Sequence, residues 1–344
     1  MNPFECGLCR SERHELMPQR DAKSGDDLPI ALCTDCGLVQ RRLLPAAEEL
    51  HSYYAQRYRS HYKGVRVPRL KHVRRAGLAA LDRLALLRRA LRPGATPALL
   101  DVGAGGGEFV YLAGRAGYRA SGIEPDEGYG AYAEQHYGVT VRQGTVADLG
   151  DERVDVITLF HVLEHLREPD AVLQRLHGLL NDGGLLFVEV PNLLQPDASP
   201  HNVYFGAHLY YYTRATLFAV ASPYFEPVRW DDAGNLKVIF RRRAAIAERH
   251  WLDHEDVAAL RDALSRKGWW QYLSAGGGWR KPFSRLARAW TETRLPLMTA
   301  RELLDGLYDA AQPRIYTTAA CCGEDRARAR SLAPAVSRSP ARRC

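Results

Sequence analysis

The chain has 344 residues, 46% of them hydrophobic, enough for one large domain with appendages or for two domains. No run of ~18 apolar residues occurs, which argues against a membrane-spanning helix, and the opening MNPFECGLCR lacks the apolar segment of a signal peptide, so a cytoplasmic location is expected. The net charge of +7 would suggest nucleic acid, but six arginines and no acid lie from Arg326 to Cys344, which leaves residues 1–325 with only +1. A nearly neutral body disfavours a nucleic-acid partner, and residues 316–344 read as a disordered basic tail.

Residues 1–44 hold Cys6-Gly-Leu-Cys9 and Cys33-Thr-Asp-Cys36. Two C-x2-C pairs in a small polar segment suit four thiolates around one tetrahedral Zn²⁺, a closed structural site in which Cys6, Cys9, Cys33 and Cys36 fill every position. Residues 45–94 read as a helical linker or lid. They contain the tyrosines Tyr53, Tyr54, Tyr58 and Tyr62 and an amphipathic stretch from Ala76 to Leu91 that stops at Pro93-Gly94.

An α/β alternation follows. The expected strands are Ala98–Val102, Arg119–Ile123, Val139–Gln143, Val154–Phe160 and Leu185–Val190. Between them lie helical patterns over Glu108–Ala116, Gly128–Tyr137 and His161–Leu180. A helix over Thr213–Ala221 and a hairpin of Phe225–Asp231 with Leu236–Arg241 close the unit. This order predicts an α/β fold with a Rossmann-like parallel sheet covered on both faces, whose ligands collect at the carboxyl ends of the strands. Residues 243–315 read as a helical extension carrying five of the six tryptophans and a Gly-Gly-Gly break at 276–278, and core or interface packing is their default role.

The chemistry begins at the first of these strand ends, LLDVGAGGGEF. Glycines at 103, 105 and 107 let backbone approach a ligand. The sixth position of a dinucleotide fingerprint is Glu108 instead of Gly or Ala, and no Gly-Lys-Ser/Thr follows, so neither NAD nor a phosphate loop fits. S-adenosylmethionine suits what remains, with Glu124 about twenty residues beyond Gly103 placed to reach ribose hydroxyls.

The set ALLDVGAGGGEF, GIEPD, DVITLFHVLEHL and LLNDGGLLFVEVPN resembles class I S-adenosylmethionine-dependent methyltransferases over about residues 95–242. With the cysteine pairs ahead of it, the chain looks like zinc-containing sugar methyltransferases, including C-methyltransferases of nucleotide-linked 4-keto sugars. The resemblance implies that Asp101, Gly103, Gly105 and Gly107 line the methionine part and that Glu124, followed by Pro125, holds the ribose. It places Thr145 and Val146 beside adenine, Phe160 and His161 at the end of the fourth strand, and Tyr58 near the methyl donor. His165 and His208 match histidines that flank the sugar, although Ala207 stands where those relatives have glutamate and their second Rossmann-like half is absent.

The expected function is methyl transfer to a sugar or nucleotide-sugar acceptor, with a histidine among His161, His165, His201 and His208 removing the proton. Three rivals remain. One is an RNA methyltransferase that uses the zinc ribbon for recognition, and another is a non-catalytic partner subunit. The third is a metalloprotease reading of His161-Val-Leu-Glu-His165, disfavoured because the motif straddles the end of a strand.

Overall fold

The computed structural model describes residues 4–45, 68–293 and 296–317. The four tyrosines at 53–62, Tyr58 among them, and the basic tail lie outside the described residues. Two sheets organise what is described. The larger contains β4 (Ala98–Val102), β5 (Arg119–Glu124), β6 (Val141–Gln143), β7 (Val154–Phe160), β8 (Leu180–Val190), β10 (Phe225–Asp231) and β11 (Leu236–Arg242), in the order β10-β11-β8-β7-β4-β5-β6. The pairs β5–β6, β4–β5, β4–β7 and β7–β8 are parallel, and β11 runs antiparallel between β8 and β10. This is the expected Rossmann-like sheet closed by a hairpin.

Side-chain alternation assigns the two faces. Leu99, Val156, Leu185 and Ile239 point to one side, where α1 (Leu70–Arg88), α2 (Glu108–Arg115) and α9 (Ala300–Thr317) cover them. Leu100, Ile157, Leu186 and Phe240 point to the other, under α4 (Pro169–Leu179) and α5 (Arg214–Ala221). The helix α3 (Glu127–Tyr137) follows β5.

The second sheet is antiparallel, in the order β1 (His14–Arg20), β2 (Asp27–Cys33), β3 (Val39–Arg41) and β9 (Tyr210–Tyr211). Its fourth strand comes from the region after β8, so the cysteine ribbon and the larger unit share a sheet. They also share a core, because Phe4, Cys33 and Leu38 pack in one cluster with Leu163, Leu186 and Tyr212.

Two expectations change. The helix expected over His161–Leu180 begins only at Pro169. His161 is left-handed at φ 58° and ends the strand in a turn, Leu163–His165 form one short 3₁₀ turn, and proline sits at the first position of α4, where its missing N–H costs nothing. The strand expected from Leu185 begins at Leu180, because Val154 of β7 already pairs with Leu180 across an irregular register. The C-terminal region is helical from His254 onward, as α6 (His254–Ser265), α7 (Trp269–Leu273), α8 (Lys281–Thr293) and α9. Among the described residues no helix is long and apolar enough to cross a membrane.

The last helix is part of the core. Leu304 is fully buried over Gly77 of α1, where an added Cβ would stand 2.6 Å from a Leu304 methyl carbon, and Tyr308 donates its hydroxyl to Arg115 O at 3.0 Å. Leu304→Ala should therefore cost about 2–5 kcal/mol in urea unfolding. A loss below about 0.5 kcal/mol, the range of an ordinary surface substitution, would show that α9 does not hold the sheet.

Candidate functional site

The carboxyl ends of β4 and β5 build the glycine loop. Gly103, Gly105 and Gly107 are all left-handed, at φ 75°, 56° and 82°. A Cβ on Gly103 would lie 2.5 Å from Val162 Cγ2, and one on Gly107 would lie 2.7 Å from Ala133 Cβ, so both positions require glycine on two grounds. Asp101 is buried at the end of β4 and accepts the Thr158 hydroxyl at 2.5 Å. Burial lifts its carboxyl to about 7 against the pull of that hydroxyl and of Arg83. Glu124, buried at the end of β5 ahead of Pro125, accepts Gly105 N–H at 2.9 Å and Asp126 N–H at 3.3 Å. Its two oxygens thus bind the loop and the start of α3.

Thr145 caps the short turn Val146–Asp148. Its amide and its hydroxyl both reach Asp148 Oδ2, at 2.8 and 2.9 Å. Val146 is buried in the core. The acid at this corner is therefore Asp148, three residues beyond the position the sequence singles out. Phe160 lies edge-on between Phe109 and Phe187, and the Arg83 guanidinium stands 4.1 Å over its ring.

His161 sits between two carboxylates. Nδ1 is 3.3 Å from Glu164 Oε1, and Nε2 is 3.4 Å from Glu189 Oε1. Burial alone would lower its pKa, but Glu164 and Glu189 outweigh that and raise it to about 9. Burial would raise Glu164, yet His161 and His165 hold it down at about 2. Glu189 is likewise held well below the usual carboxylate range by His161 and Arg83, although burial opposes this. Arg83 Nε donates to Glu189 Oε2 at 2.8 Å, and Asn235 Nδ2 donates to Glu189 Oε1 at 2.8 Å while lying 3.2 Å from His161 Nε2. A charged His161 donates hydrogen bonds and takes no proton.

His165 and His208 form a different pair, with ring centroids 4.9 Å apart and edge-to-face. Burial lowers the pKa of both, that of His208 to about 4, so both rings are neutral near pH 7. His165 Nδ1 is 2.9 Å from Ala207 O. A carbonyl only accepts, so Nδ1 carries the hydrogen and Nε2 is the basic atom. His208 lines a cavity of about 180 Å³ with Asn192, Gln195, Asn202, Tyr211 and Asn235. His201 lies instead against Trp269, with centroids 5.2 Å apart.

The loop carrying His208 is held by the ribbon. Ala22 N–H donates to Tyr204 O at 2.8 Å, Gly206 N–H donates to Asp21, and Arg41 N–H donates to Leu209 O at 2.8 Å. Within the ribbon the four thiols converge. The sulfurs of Cys6 and Cys36 are 3.6 Å apart, those of Cys9 and Cys33 are 3.5 Å apart, and all four lie within 4.8 Å of one another.

The structure thus brings His161, His165 and His208 to one turn beside the glycine loop. Arg83, Thr158, Glu189 and Asn235 belong to the same network. For Glu189 the sequence carries a signal, an acid inside the apolar strand LLFVEV, and for Thr158 a hydroxyl inside VDVITLF. Nothing in the helix around Arg83 marks it.

Residues 70–293 match the family model described as "Methyltransferase domain". The chain belongs to this methyltransferase-domain family. The match starts at α1 and leaves the cysteine ribbon outside it. A ubiquinone biosynthesis O-methyltransferase of Azorhizobium caulinodans is 35% identical over 111 residues, which cover 30% of this chain and 44% of that protein. The protein of the same name in Pseudomonas syringae is 35% identical over 27% of this chain and 44% of its own length. The chain thus spans less than half the length of these curated relatives. A 1,6-didemethyltoxoflavin-N1-methyltransferase of Burkholderia thailandensis is similar at 21% identity, with 60% of this chain and 96% of that chain covered and a TM-score of 0.43.

The charge on His161 has a measurable consequence. A folded-state pKa raised from about 6.5 to about 9 gives stability that is fully present below pH 6.5 and is lost as pH rises through 9. His161→Asn keeps a residue that tolerates left-handed backbone and removes the titration. Urea midpoints of the native chain should fall between pH 6.5 and 9.5 more steeply than those of the variant. Parallel pH profiles would mean that the ring is not charged.

Proposed function

We propose that this chain transfers a methyl group from S-adenosylmethionine to a small sugar or nucleotide-sugar acceptor, in the cytoplasm, with deprotonation by the His165–His208 pair. The observation that carries the reading is the junction of three parts. Gly103 abuts Val162, the neighbouring His161 lies beside Asn235, and Asn235 lines the cavity with His208. A donor loop and an acceptor cavity therefore meet across one turn.

The residues fit the donor. Gly103 and Gly107 have no room for a side chain, and the buried carboxyl of Asp101, lifted to about 7 by burial, suits the ammonium of the methionine end. In this reading Asp101, Gly103, Gly105 and Gly107 hold the methionine part, Glu124 and Pro125 the ribose, and Thr145 and Val146 with Asp148 the adenine. Tyr58, Phe160 and His161 flank the donor. When bound, S-adenosylmethionine supplies an electrophilic methyl group on a sulfonium.

The chain's own work is alignment and proton removal. The cavity amides at Asn192, Gln195, Asn202 and Asn235 offer donors and acceptors to hydroxyls, and Phe205 and Tyr211 offer apolar faces, a combination that suits a sugar ring. In this reading the His165–His208 pair takes the acceptor proton, with His208 lining the cavity and His165 packed edge-to-face beside it. The charged His161 donates to Glu164 and Glu189 and orients both carboxylates, and Glu189 in turn accepts from Asn235. A second reading has a specific observation behind it: both curated relatives are named for O-methylation in ubiquinone biosynthesis, which favours an aromatic hydroxyl as acceptor.

Calorimetry should show donor binding, lost about tenfold or more in Glu124→Ala because two or more hydrogen bonds go. With labelled donor and a panel of nucleotide sugars, with and without a keto group, and of polyphenols, a sugar should carry the label. His165→Asn and His208→Asn should each lower kcat by about 10²–10⁴-fold with donor affinity nearly unchanged. Labelled polyphenol alone would replace the sugar reading by the second one, and absence of donor binding would remove both.

We further propose that Cys6, Cys9, Cys33 and Cys36 hold one structural Zn²⁺. Zn–S bonds of about 2.3 Å in a tetrahedron put sulfurs about 3.8 Å apart, close to the separations present here. Metal analysis should give one zinc per chain, and Cys33→Ser should abolish it and lower the Tm. Full stability in a metal-free preparation would show that the thiols pack without an ion.

A further inference from the structure

Helix α8 carries its amphipathicity the wrong way round. Trp279, just ahead of it, and Phe283, Leu286 and Trp290 recur at spacings of four, three and four, which places them on one face. Lys281, Arg285, Arg288 and Glu292 recur at the same spacings on the opposite face. An amphipathic helix on a folded body normally buries its apolar stripe. Here the polar stripe is tied to the body at both ends: Lys281 Nζ is 2.6 Å from Asp197 Oδ2, and Arg75 of α1 grips Glu292 through two bonds of 2.6 and 2.7 Å. The apolar stripe is left exposed, with Trp279 at 56%, Phe283 at 67%, Leu286 at 69% and Trp290 at 58%. No residue of α8 is buried as a whole, and the Glu292 side chain, held by Arg75, is the one the ion pairs show covered.

The surrounding charge is equally one-sided. Residues 266–290 contain six cations, four tryptophans and no acid, while the rest of residues 1–325 carries a net −5. Arg266, Arg280, Arg285 and Arg288 are exposed, and Arg280 stands 4.8 Å over the Trp279 ring.

We propose that α8 and the turn before it form a docking face for an anionic phospholipid surface, on which the protein lies without spanning it. Three features select this occupant. The helix pairs a strong apolar stripe with a low mean hydropathy and a cationic opposite face, the composition of helices that lie in a membrane interface. Tryptophan within the stripe suits a membrane–water interface, and long arginine side chains reach anionic headgroups while their stems stay apolar. The proposal is independent of the acceptor named above, since α8 contributes no residue to that site.

The test uses the full chain with phosphatidylcholine vesicles, alone or with about a third phosphatidylglycerol, in co-sedimentation and tryptophan fluorescence. Binding to the anionic vesicles with a blue shift is expected, with little binding to the neutral ones and a severalfold loss at about 0.5 M NaCl. Phe283→Ser with Trp290→Ser should lower vesicle affinity about tenfold or more, given the area withdrawn from lipid, while the basic tail stays the same in both proteins. Trp251→Ser, an exposed tryptophan outside the stripe, should leave binding intact. An unchanged Tm in the double variant shows that it is folded. Equal vesicle binding by the double variant and the native chain would assign the attraction to the tail and overturn the proposal. So would no vesicle binding, whether or not the double variant weakens RNA binding or a concentration-dependent dimer.

Discussion

Much of this molecule rests on two buried carboxylates, Glu164 and Glu189, that meet across the partly exposed imidazolium of His161. Two carboxylates taken out of water are tolerated only when cations meet them, and here His161 meets both while Arg83 adds a second partner to Glu189. Removing one member would strand the others as uncompensated buried charge. The arrangement also fixes geometry. The backbone N–H of His161 donates to Glu189 O at 2.8 Å, so the left-handed residue that ends β7 is pinned to β8 through main chain and side chain together. Val162 then falls against Gly103, and Glu164 O accepts Leu209 N–H at 2.8 Å, which draws the His208 loop to the same turn. Glycine loop, cavity and histidine pair are spaced by this one turn.

That turn is also where sequence pattern and structure part. Strands such as VDVITLF and ALLDV fall at their expected positions because a β-branched or apolar run between glycine and acid breaks has one way to be buried on both faces of a parallel sheet. HVLEHL has helical composition, and periodicity extends the next helix back over it. Tertiary charge pairing overrides that propensity: His161 gives up helical backbone to reach two acids from separate elements. The network residues were hidden for the same reason. Glu189 and Thr158 stand out as polar groups within apolar strands, so a signal existed, but their partners Arg83 and Asn235 come from a helix and a hairpin turn far away in the chain. Asp148 was missed because a capping residue and its acid three positions on read as local turn chemistry. The glycine loop is legible because its constraint is local: left-handed backbone and no room for a Cβ leave glycine as the residue that fits at 103 and 107.

The cysteine ribbon gains a role from its attachment. On composition it is a separate metal-stabilised module, and the family match leaves it out. Yet its third strand pairs with Tyr210–Tyr211, and its 20–27 turn and Arg41 hold the backbone on either side of His208. A loop of that kind, between β8 and α5, would otherwise pay for its ordering with few buried contacts of its own. Tyr210 and Tyr212 are instead fully buried in the core that the ribbon shares with the sheet, and the Tyr210 hydroxyl donates to Arg167 O at 2.7 Å. Order in the ribbon is thus transmitted to the ring beside His165 through three hydrogen bonds, two between backbones and one from Gly206 N–H to the Asp21 side chain. The four converging thiols thus bear, through the ribbon's backbone, on the conformation of the loop that carries His208.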